Sequence, residues 1–308
     1  MFIALTGATG FLGRYLVDAT VRHGHRLRCW YRPQSDRSGF DSVSDAIEWR
    51  QGQLGDADAT RELVRGVEAV VHCAVDWEGS GNRRVAGRED VVGFAEKNIV
   101  GSIRLFEEAY RADVPRFVFI STCAVHEVIL DDRPLDEAHP LWPTSHYGAH
   151  KAALEKFVHS YGLGKGWPIC ALRPTGIYGL DHPPQASKWF ELVGKVVRGE
   201  PVSSSAGGKE VHAADVARAV LLLLKVDAER VAGQAFNCYD RYIADQDVAR
   251  IAKEITGSNT VIADLNKGPK HQIETKKLRA LGMTFGGEEL LRKTIEELVA
   301  AYQRIATQ

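Results

Sequence analysis

The chain has 308 residues, 44% hydrophobic and 26% charged, with a formal net charge of −1. That length is enough for a large core, in one sizeable α/β domain or in a domain with an added lobe. Charge this close to balance gives no electrostatic case for nucleic acid, an anionic membrane or a polyanionic partner. The longest apolar run, Ala219 to Leu224, is far too short to span a bilayer.

Phe2 to Leu5 is a short apolar run that reads as a buried strand, and with a strand starting there no signal peptide fits in front of it. Thr6-Gly7-Ala8-Thr9-Gly10-Phe11-Leu12-Gly13 follows at once. Gly7 lets the chain leave the strand tightly, Gly10 removes the Cβ that would hold a pyrophosphate off the backbone, and Gly13 lets the next helix lie close on the sheet. The opening amides near Phe11 and Leu12 then face an anion, together with the positive end of the helix dipole. An amphipathic helix (Leu12, Tyr15, Leu16, Ala19) and a second strand, Leu27 to Tyr31, complete the context that a dinucleotide-binding turn requires.

The alternation continues with strands at 47–50 and 69–75 around a short helix at 59–65. A glycine-rich, charged stretch, 76–87, reads as an exposed loop. A long helix over 89–112 precedes a strand at 116–121, and the acidic, proline-containing stretch 131–144 is loop. A helix over 145–161 and a strand at 169–173 follow. Strands alternating with helices at this interval predict an α/β fold, a doubly wound parallel sheet of Rossmann type with right-handed crossovers, over residues 1–174. Residues 175–308 read mainly as a smaller substrate-binding lobe, with some elements returning to the sheet. Helices are expected at 187–198, 215–225, 245–256, 274–281 and 288–305, a strand at 234–238, and a polar Ser/Gly loop at 200–209. Cys29, Cys73, Cys123, Cys170 and Cys238 are widely spaced, odd in number and without a CxxC pair, which predicts reduced, mostly buried thiols in a cytoplasmic protein.

Two positions carry chemistry. An acid at the end of the second strand suits the ribose 2′-hydroxyl of NAD, and a basic residue suits the 2′-phosphate of NADP. The residue there is Arg32, with Arg37 nearby, which favours NADP with NAD as the alternative; the competing reading is a solvated strand-end cation. Tyr147 and Lys151, four apart, share one helix face. A free phenol, with a pKa of about 10, is a poor base at neutral pH. A nearby ammonium and a cationic nicotinamide stabilise the phenolate and bring it into the working range.

These residues resemble the extended short-chain dehydrogenase/reductases, the NAD(P)-dependent epimerase/dehydratase family. Further segments carry the likeness: Val71-His72-Cys73-Ala74, Asn98-Ile99-Val100-Gly101-Ser102, Ser121-Thr122-Cys123-Ala124-Val125-His126, Leu172-Arg173-Pro174-Thr175-Gly176-Ile177-Tyr178-Gly179 and Val211-His212-Ala213-Ala214-Asp215-Val216-Ala217. The resemblance implies Tyr147 as acid/base, Lys151 as its cationic partner and holder of the nicotinamide ribose, and Thr122 rather than Ser121 as the hydroxyl on the reacting oxygen. It implies cofactor contacts from Gly7, Gly10, Phe11, Leu12, Gly13, Arg32, Gln53, Leu54, Ala74, Tyr147, Lys151 and Pro174. Asn98 either joins them or supports its helix. It also implies a homodimer through the long helix from Glu89 and the helix carrying Tyr147.

The chain departs from the family at four places. Gln53 replaces an acid beside the adenine. Gly176 stands where sugar-nucleotide enzymes carry Asn, and Gly207-Gly208-Lys209 where they carry a phosphate-holding Arg, for which Lys209, Lys188 or Arg198 can substitute. His126-Glu127 replaces Tyr-Gly, which is expected to change the polarity near the substrate. The histidines form no ligand pattern, so no metal is assigned; Cys123 has no paired base and is no nucleophile. Asp56 and Asp215 read as a loop residue and a helix N-cap rather than catalytic acids. The expected activity is hydride transfer between nicotinamide and a carbonyl or hydroxyl group of a small substrate. The alternatives are a nucleotide-sugar epimerase or dehydratase and, of another class, a non-catalytic dinucleotide-binding regulator.

Overall fold

The computed structural model describes residues 1–77, 86–266 and 268–307. Most of the loop expected over 76–87 therefore lies, at 78–85, outside the described residues; Ala86, at its end, is buried rather than exposed. Along the chain the elements are β1 (Phe2–Thr6), α1 (Phe11–Arg22), β2 (Arg26–Tyr31), β3 (Ile47–Gln51), α2 (Ala57–Val64), β4 (Ala69–His72), α3 (Val91–Ala95), α4 (Gly101–Arg111), β5 (Phe117–Ile120), α5 (His146–Lys165) and β6 (Ile169–Pro174). They continue as β7 (Gly176–Tyr178), α6 (Phe190–Val197), β8 (Gly207–His212), α7 (Ala213–Lys225), α8 (Ala228–Val231), β9 (Gln234–Cys238), β10 (Arg241–Ala244), α9 (Asp245–Thr256), α10 (Lys276–Arg279) and α11 (Gly287–Ala306). No helix among the described residues is long and apolar enough to cross a membrane.

The chain divides into two compact units, one of residues 1–174, 217–238 and 273–283, the other of 175–216, 239–272 and 284–308. The first unit holds a seven-stranded sheet in the order β3-β2-β1-β4-β5-β6-β9, parallel throughout. β1 lies between β2 and β4, so the strand order reverses there, and the crevice beyond the carboxyl ends of β1 and β4 is where such sheets take ligands. Continuous apolar runs fit strands covered on both faces: every residue of β4 and β5 is buried. Their core joins Val70, Phe117 and Phe119 to Leu105 and Phe106 of α4 and Leu154 and Val158 of α5. The long helix expected from Glu89 is present as α3 and α4, joined by a π-helical turn over Glu96–Val100 that widens the helix at Asn98.

The second unit is built on a three-stranded sheet in the order β10-β8-β7, with β8 antiparallel to β10 and parallel to β7. Its core gathers Phe190, Val193 and Val196 of α6, Val248 of α9, and Leu291, Ile295 and Leu298 of α11. Two expectations fail here. The polar loop drawn to Lys209 ends earlier, because Gly207, Gly208 and Lys209 pair with Ala244, Ile243 and Tyr242 as the first half of β8. The helix drawn over 274–281, in the first unit, shrinks to the single turn of α10.

Candidate active site

Thr6 closes the end of β1. Its Oγ1 accepts the amides of Cys73 and Ala74, each at 3.1 Å, and lies 2.7 Å from His72 Nδ1. This ties the chain leaving β4 to the glycine turn. Three glycines of the turn are glycine for three reasons. Gly7 has φ +76°, and a Cβ on it would stand 2.9 Å from Ala74 N. A Cβ on Gly13 would run into the Gly7 carbonyl and the Ala8 backbone. Gly10 has φ −81° and ψ 170°, open to any residue, and a Cβ there would meet nothing nearer than Gly7 O at 3.5 Å. Neither backbone nor packing demands glycine at position 10, so the space kept there fits a ligand lying against the turn.

A cavity of about 480 Å³ opens over this turn, in the range of ligand pockets. Gly7, Gly10, Phe11, Leu12, Gly13, Arg32, Gln53, Leu54 and Ala74, all expected to hold the cofactor, line it. Trp30, Asp76 and Trp77 line it as well, and the buried Trp30 Nε1 has no hydrogen-bond partner among the described residues. Helix α1 enters at Phe11 with no side chain capping it, so its positive end is available to a phosphate. These residues suit a dinucleotide: a bare backbone for the pyrophosphate and Arg32 at the strand end for the ribose.

Asn98 does not line this cavity; it is buried and works through the wall. Its Oδ1 accepts the amide of Asp76 at 2.8 Å, and its Nδ2 donates to the Asp76 carbonyl at 2.9 Å and to Phe94 O at 3.0 Å. These bonds tie the π-helical turn that holds Asn98 to the cavity wall at Asp76. Asp76 in turn lies 3.9 Å from the Arg32 guanidinium, whose side chain keeps 45% of its surface. His72 extends the same framework: Thr6 Oγ1 on one ring nitrogen, Ser102 Oγ at 2.8 Å on the other, and the Ser102 hydroxyl donating to Asn98 O. Burial holds His72 down to about 3, neutral at physiological pH.

Tyr147 and Lys151 stand on α5. Ser145 caps the helix, its Oγ accepting Gly148 N at 3.1 Å, and a Cβ on Gly148 would stand 2.6 Å from Ala124 O. Glycine after the tyrosine thus brings the start of α5 onto the turn that follows β5. Thr122 opens that turn; its buried Oγ1 accepts Ala124 N at 3.1 Å, which leaves the O–H to donate. Ser121 is committed elsewhere, its hydroxyl bonded to Glu155. Lys151 is buried, donates to Ile120 O at 2.7 Å and lies 4.6 Å from the Phe119 ring; burial pulls its pKa down to about 8. The Tyr147 ring stacks on Trp77 at 5.3 Å and 25°, with the His150 ring edge-on at 5.3 Å. Trp77, absent from the expected site, is the aromatic link between the tyrosine and the cavity wall. The only signal for it was an indole in an otherwise polar loop. Pro174 ends β6, buried, and is not among the cavity's lining residues.

His126 and Glu127 are both bonded to groups of the chain itself. His126 is buried, between Pro140 O at 3.1 Å and Arg173 Nη1 at 3.1 Å; burial and the guanidinium hold it down to about 4. Glu127 accepts the amides and hydroxyls of Thr144 and Ser145, fixing the approach to α5. Asp56 turns out to cap α2 through Ala59 N, whereas Asp215 lies in the first turn of α7 and accepts Gly286 N. The cysteines are all free, and burial pushes Cys123 up to about 12. Among the described residues no group of three or more His, Cys, Asp or Glu side chains is placed to hold a metal ion.

The profile of the NAD dependent epimerase/dehydratase family matches residues 3–238. The chain belongs to that family. The 3 beta-hydroxysteroid dehydrogenase/Delta 5→4-isomerase of Mycobacterium tuberculosis is 30% identical over 196 residues, 62% of this chain and 51% of that protein. The UDP-glucose 4-epimerase of Rhizobium meliloti is 26% identical over 194 residues, 61% of this chain and 56% of that one. The chain thus spans about half the length of these curated relatives. In fold it is similar to the UDP-glucose 4-epimerase of Thermotoga maritima, solved with UDP-glucose: the TM-score is 0.79 at 23% identity, with all of both chains covered.

Gly176 and Gly208 flank the buried Glu210 on a three-stranded sheet. Of the cations that were candidates to hold a diphosphate, Lys188 is paired with Glu210, and Arg198 with Glu200 and Tyr302.

Proposed function

We propose that this chain is an NADP-preferring oxidoreductase that exchanges hydride between nicotinamide and a carbonyl or hydroxyl group of a small substrate. The observation that carries the reading is Lys151, an ammonium buried one helical turn from Tyr147, whose phenol stacks on a residue lining the cavity over the glycine turn. The bound nicotinamide supplies or accepts the hydride. In reduction the Tyr147 hydroxyl gives its proton to the carbonyl oxygen; in alcohol oxidation the phenolate takes it back. Lys151 favours the phenolate electrostatically, and the Thr122 O–H donates to the reacting oxygen. Arg32, half-exposed at the cavity end, is the partner for a 2′-phosphate. Because Asp76 already lies near its guanidinium, the added charge-assisted bond is worth about 1.5–3 kcal/mol, and Arg32→Ser is expected to weaken NADPH by ten- to a hundredfold while sparing NADH.

The test is direct. The purified chain is mixed with NADPH or NADH and then with aldehydes, ketones and UDP-sugars in turn. Tyr147→Phe should lower kcat by about 10²–10⁴ with NADPH affinity unchanged. Turnover unaffected by that substitution would leave the regulator reading in its place. A second reading, nucleotide-sugar epimerase or dehydratase, is favoured by the likeness to UDP-glucose 4-epimerases, and turnover of UDP-sugars alone would select it. The proposal includes a homodimer through α3–α4 and α5, where Val91, Val92, Val100 and Phe157 are exposed, to be checked by light scattering. It also includes a reducing cytoplasm, to which five free thiols are suited.

A further inference from the structure

Tyr147 is the second residue of α5, in the first turn, whose amides have no partner within the helix. The helix alone therefore does not fix its ring. Rotation about χ1 between staggered wells carries a tyrosine hydroxyl several ångströms, further than proton transfer over one hydrogen bond tolerates. Whatever holds the ring sets the reaction geometry.

Two rings bound it. The Trp77 indole lies nearly flat against it, at 5.3 Å and 25°, and the His150 imidazole meets it edge-on at 5.3 Å and 64°. Ring pairs in the core of the same unit cross more steeply, Phe106 with Phe117 at 83° and Tyr161 with Trp167 at 69°. A flat pair closes the side it covers, so the phenol cannot swing through the indole.

Both ends of this row are tied to one buried amide. Asn98 accepts the Asp76 N–H at 2.8 Å and donates to the Asp76 carbonyl at 2.9 Å, which fixes the backbone immediately before Trp77. It also donates to Phe94 O at 3.0 Å, and the Phe94 ring meets that of His150 at 5.2 Å and 88°. Trp77, Tyr147, His150 and Phe94 thus form a row closed through Asn98, with the phenol inside it. Trp77 is the member of the row that also lines the cavity. It is only half-buried, so burial of its own surface is an incomplete account of an indole there; the flat contact with Tyr147 supplies the rest.

We propose that Trp77 is a positioning residue for Tyr147: its indole holds the phenol at the cavity edge, where the hydroxyl meets the substrate oxygen, and it acts through the phenol rather than on the cofactor. The proposal rests on Tyr147 as the acid of the oxidoreductase reading above. The experiment assays the full chain with NADPH on benzaldehyde, acetophenone and cyclohexanone. Trp77→Leu should lower kcat by about ten- to a hundredfold with the Kd for NADPH unchanged, and Trp77→Phe, which keeps a ring there, should restore most of the loss. In a Tyr147→Phe background Trp77→Leu should cost nothing further, because the group it acts through is gone. The proposal is overturned if Trp77→Leu keeps the wild-type kcat, or if it slows both backgrounds by the same factor, which would assign the indole to the cofactor. A second readout is independent of turnover. Nuclear Overhauser contacts from the Tyr147 ring to His150, in a chain with isotope-labelled tyrosine and histidine, should weaken in Trp77→Leu and persist in Trp77→Phe; contacts as strong as the wild type's in Trp77→Leu would overturn the proposal even with no carbonyl turned over. Full turnover in Tyr147→Phe would sink the oxidoreductase reading, whereas a slow Tyr147→Phe beside a fast Trp77→Leu would sink this proposal alone.

Discussion

Each unit buries a glutamate with a cation, and the two pairs are built differently. In the first unit, Glu155 and Arg173 have side chains 0% and 2% exposed. Arg173 Nε reaches both carboxylate oxygens, at 3.0 and 3.1 Å, and Nη2 reaches Oε2 at 2.6 Å. Nη1 serves His126 and the Glu137 carbonyl, and Ser121 adds its hydroxyl to Glu155. In the second unit the cation keeps a face to solvent and the carboxylate lies against two glycines. The sealed pair joins the ends of β5 and β6 to α5, the elements that present Thr122 and Tyr147. The open pair leaves its lysine half in water. Burial of the carboxylate is alike in both; how far the cation is withdrawn from water is not.

The sharpest way to break that contrast is to neutralise each glutamate. Glu155→Gln leaves Arg173 buried without its counter-charge and is expected to cost about 3–5 kcal/mol, read from the urea midpoint. Glu210→Gln frees a lysine that can turn to water, and about 1 kcal/mol is expected, as for the partner of a half-exposed pair. Equal losses would mean that exposure of the cation does not set the cost.

Protons probe the first unit next. His72, His126 and His150 are held neutral by burial, at about 3, 4 and 2. Each is depressed relative to the unfolded chain, at about 6.5, so below that pH the unfolded state binds more protons. The stability they contribute is present above pH 6.5 and is lost as pH falls toward the folded values. From pH 7 to pH 5 the loss is about 2 kcal/mol for each, from the ordinary value and the linkage relation. Urea unfolding at both pH values checks it, and His150→Phe should flatten the slope by about one proton. A slope that does not change would show that His150 opens to water.

Much of this architecture was readable in the residues, and the misses have physical causes. Apolar runs such as Val70-Val71 and Phe117 to Ile120 announce buried parallel strands, and the Gly7–Gly10–Gly13 spacing announces the turn, because both are local signals. The first half of β8 is Gly-Gly-Lys, which has no strand periodicity and becomes a strand only by pairing with β10. Asn98 was ambiguous because its partner, the backbone of Asp76, is 22 residues away. Nothing local shows that His126 turns in to Arg173 or that Glu127 ties down Thr144 and Ser145. Trp77 over Tyr147, and Glu210 between two glycines, exist only once distant segments meet.

The smallest effect separates the same two roles within the glycine turn. Gly13→Ala places a Cβ into the Gly7 carbonyl and Ala8 backbone, an overpacking expected to cost about 1–3 kcal/mol. Gly10 has a backbone conformation that alanine adopts without strain and room for a Cβ. Gly10 is also the N-cap of α1, where glycine is favoured over alanine, so the gain of about 0.4–1 kcal/mol from lost freedom in the unfolded state is offset and Gly10→Ala should leave the stability of the ligand-free chain within about 1 kcal/mol. The same methyl projects where the pyrophosphate would lie, so NADPH affinity should fall while the melting temperature holds. A residue that is near neutral for the fold and needed by the ligand is there for the ligand. If Gly10→Ala bound NADPH as tightly as the wild type, the dinucleotide would not lie against this turn.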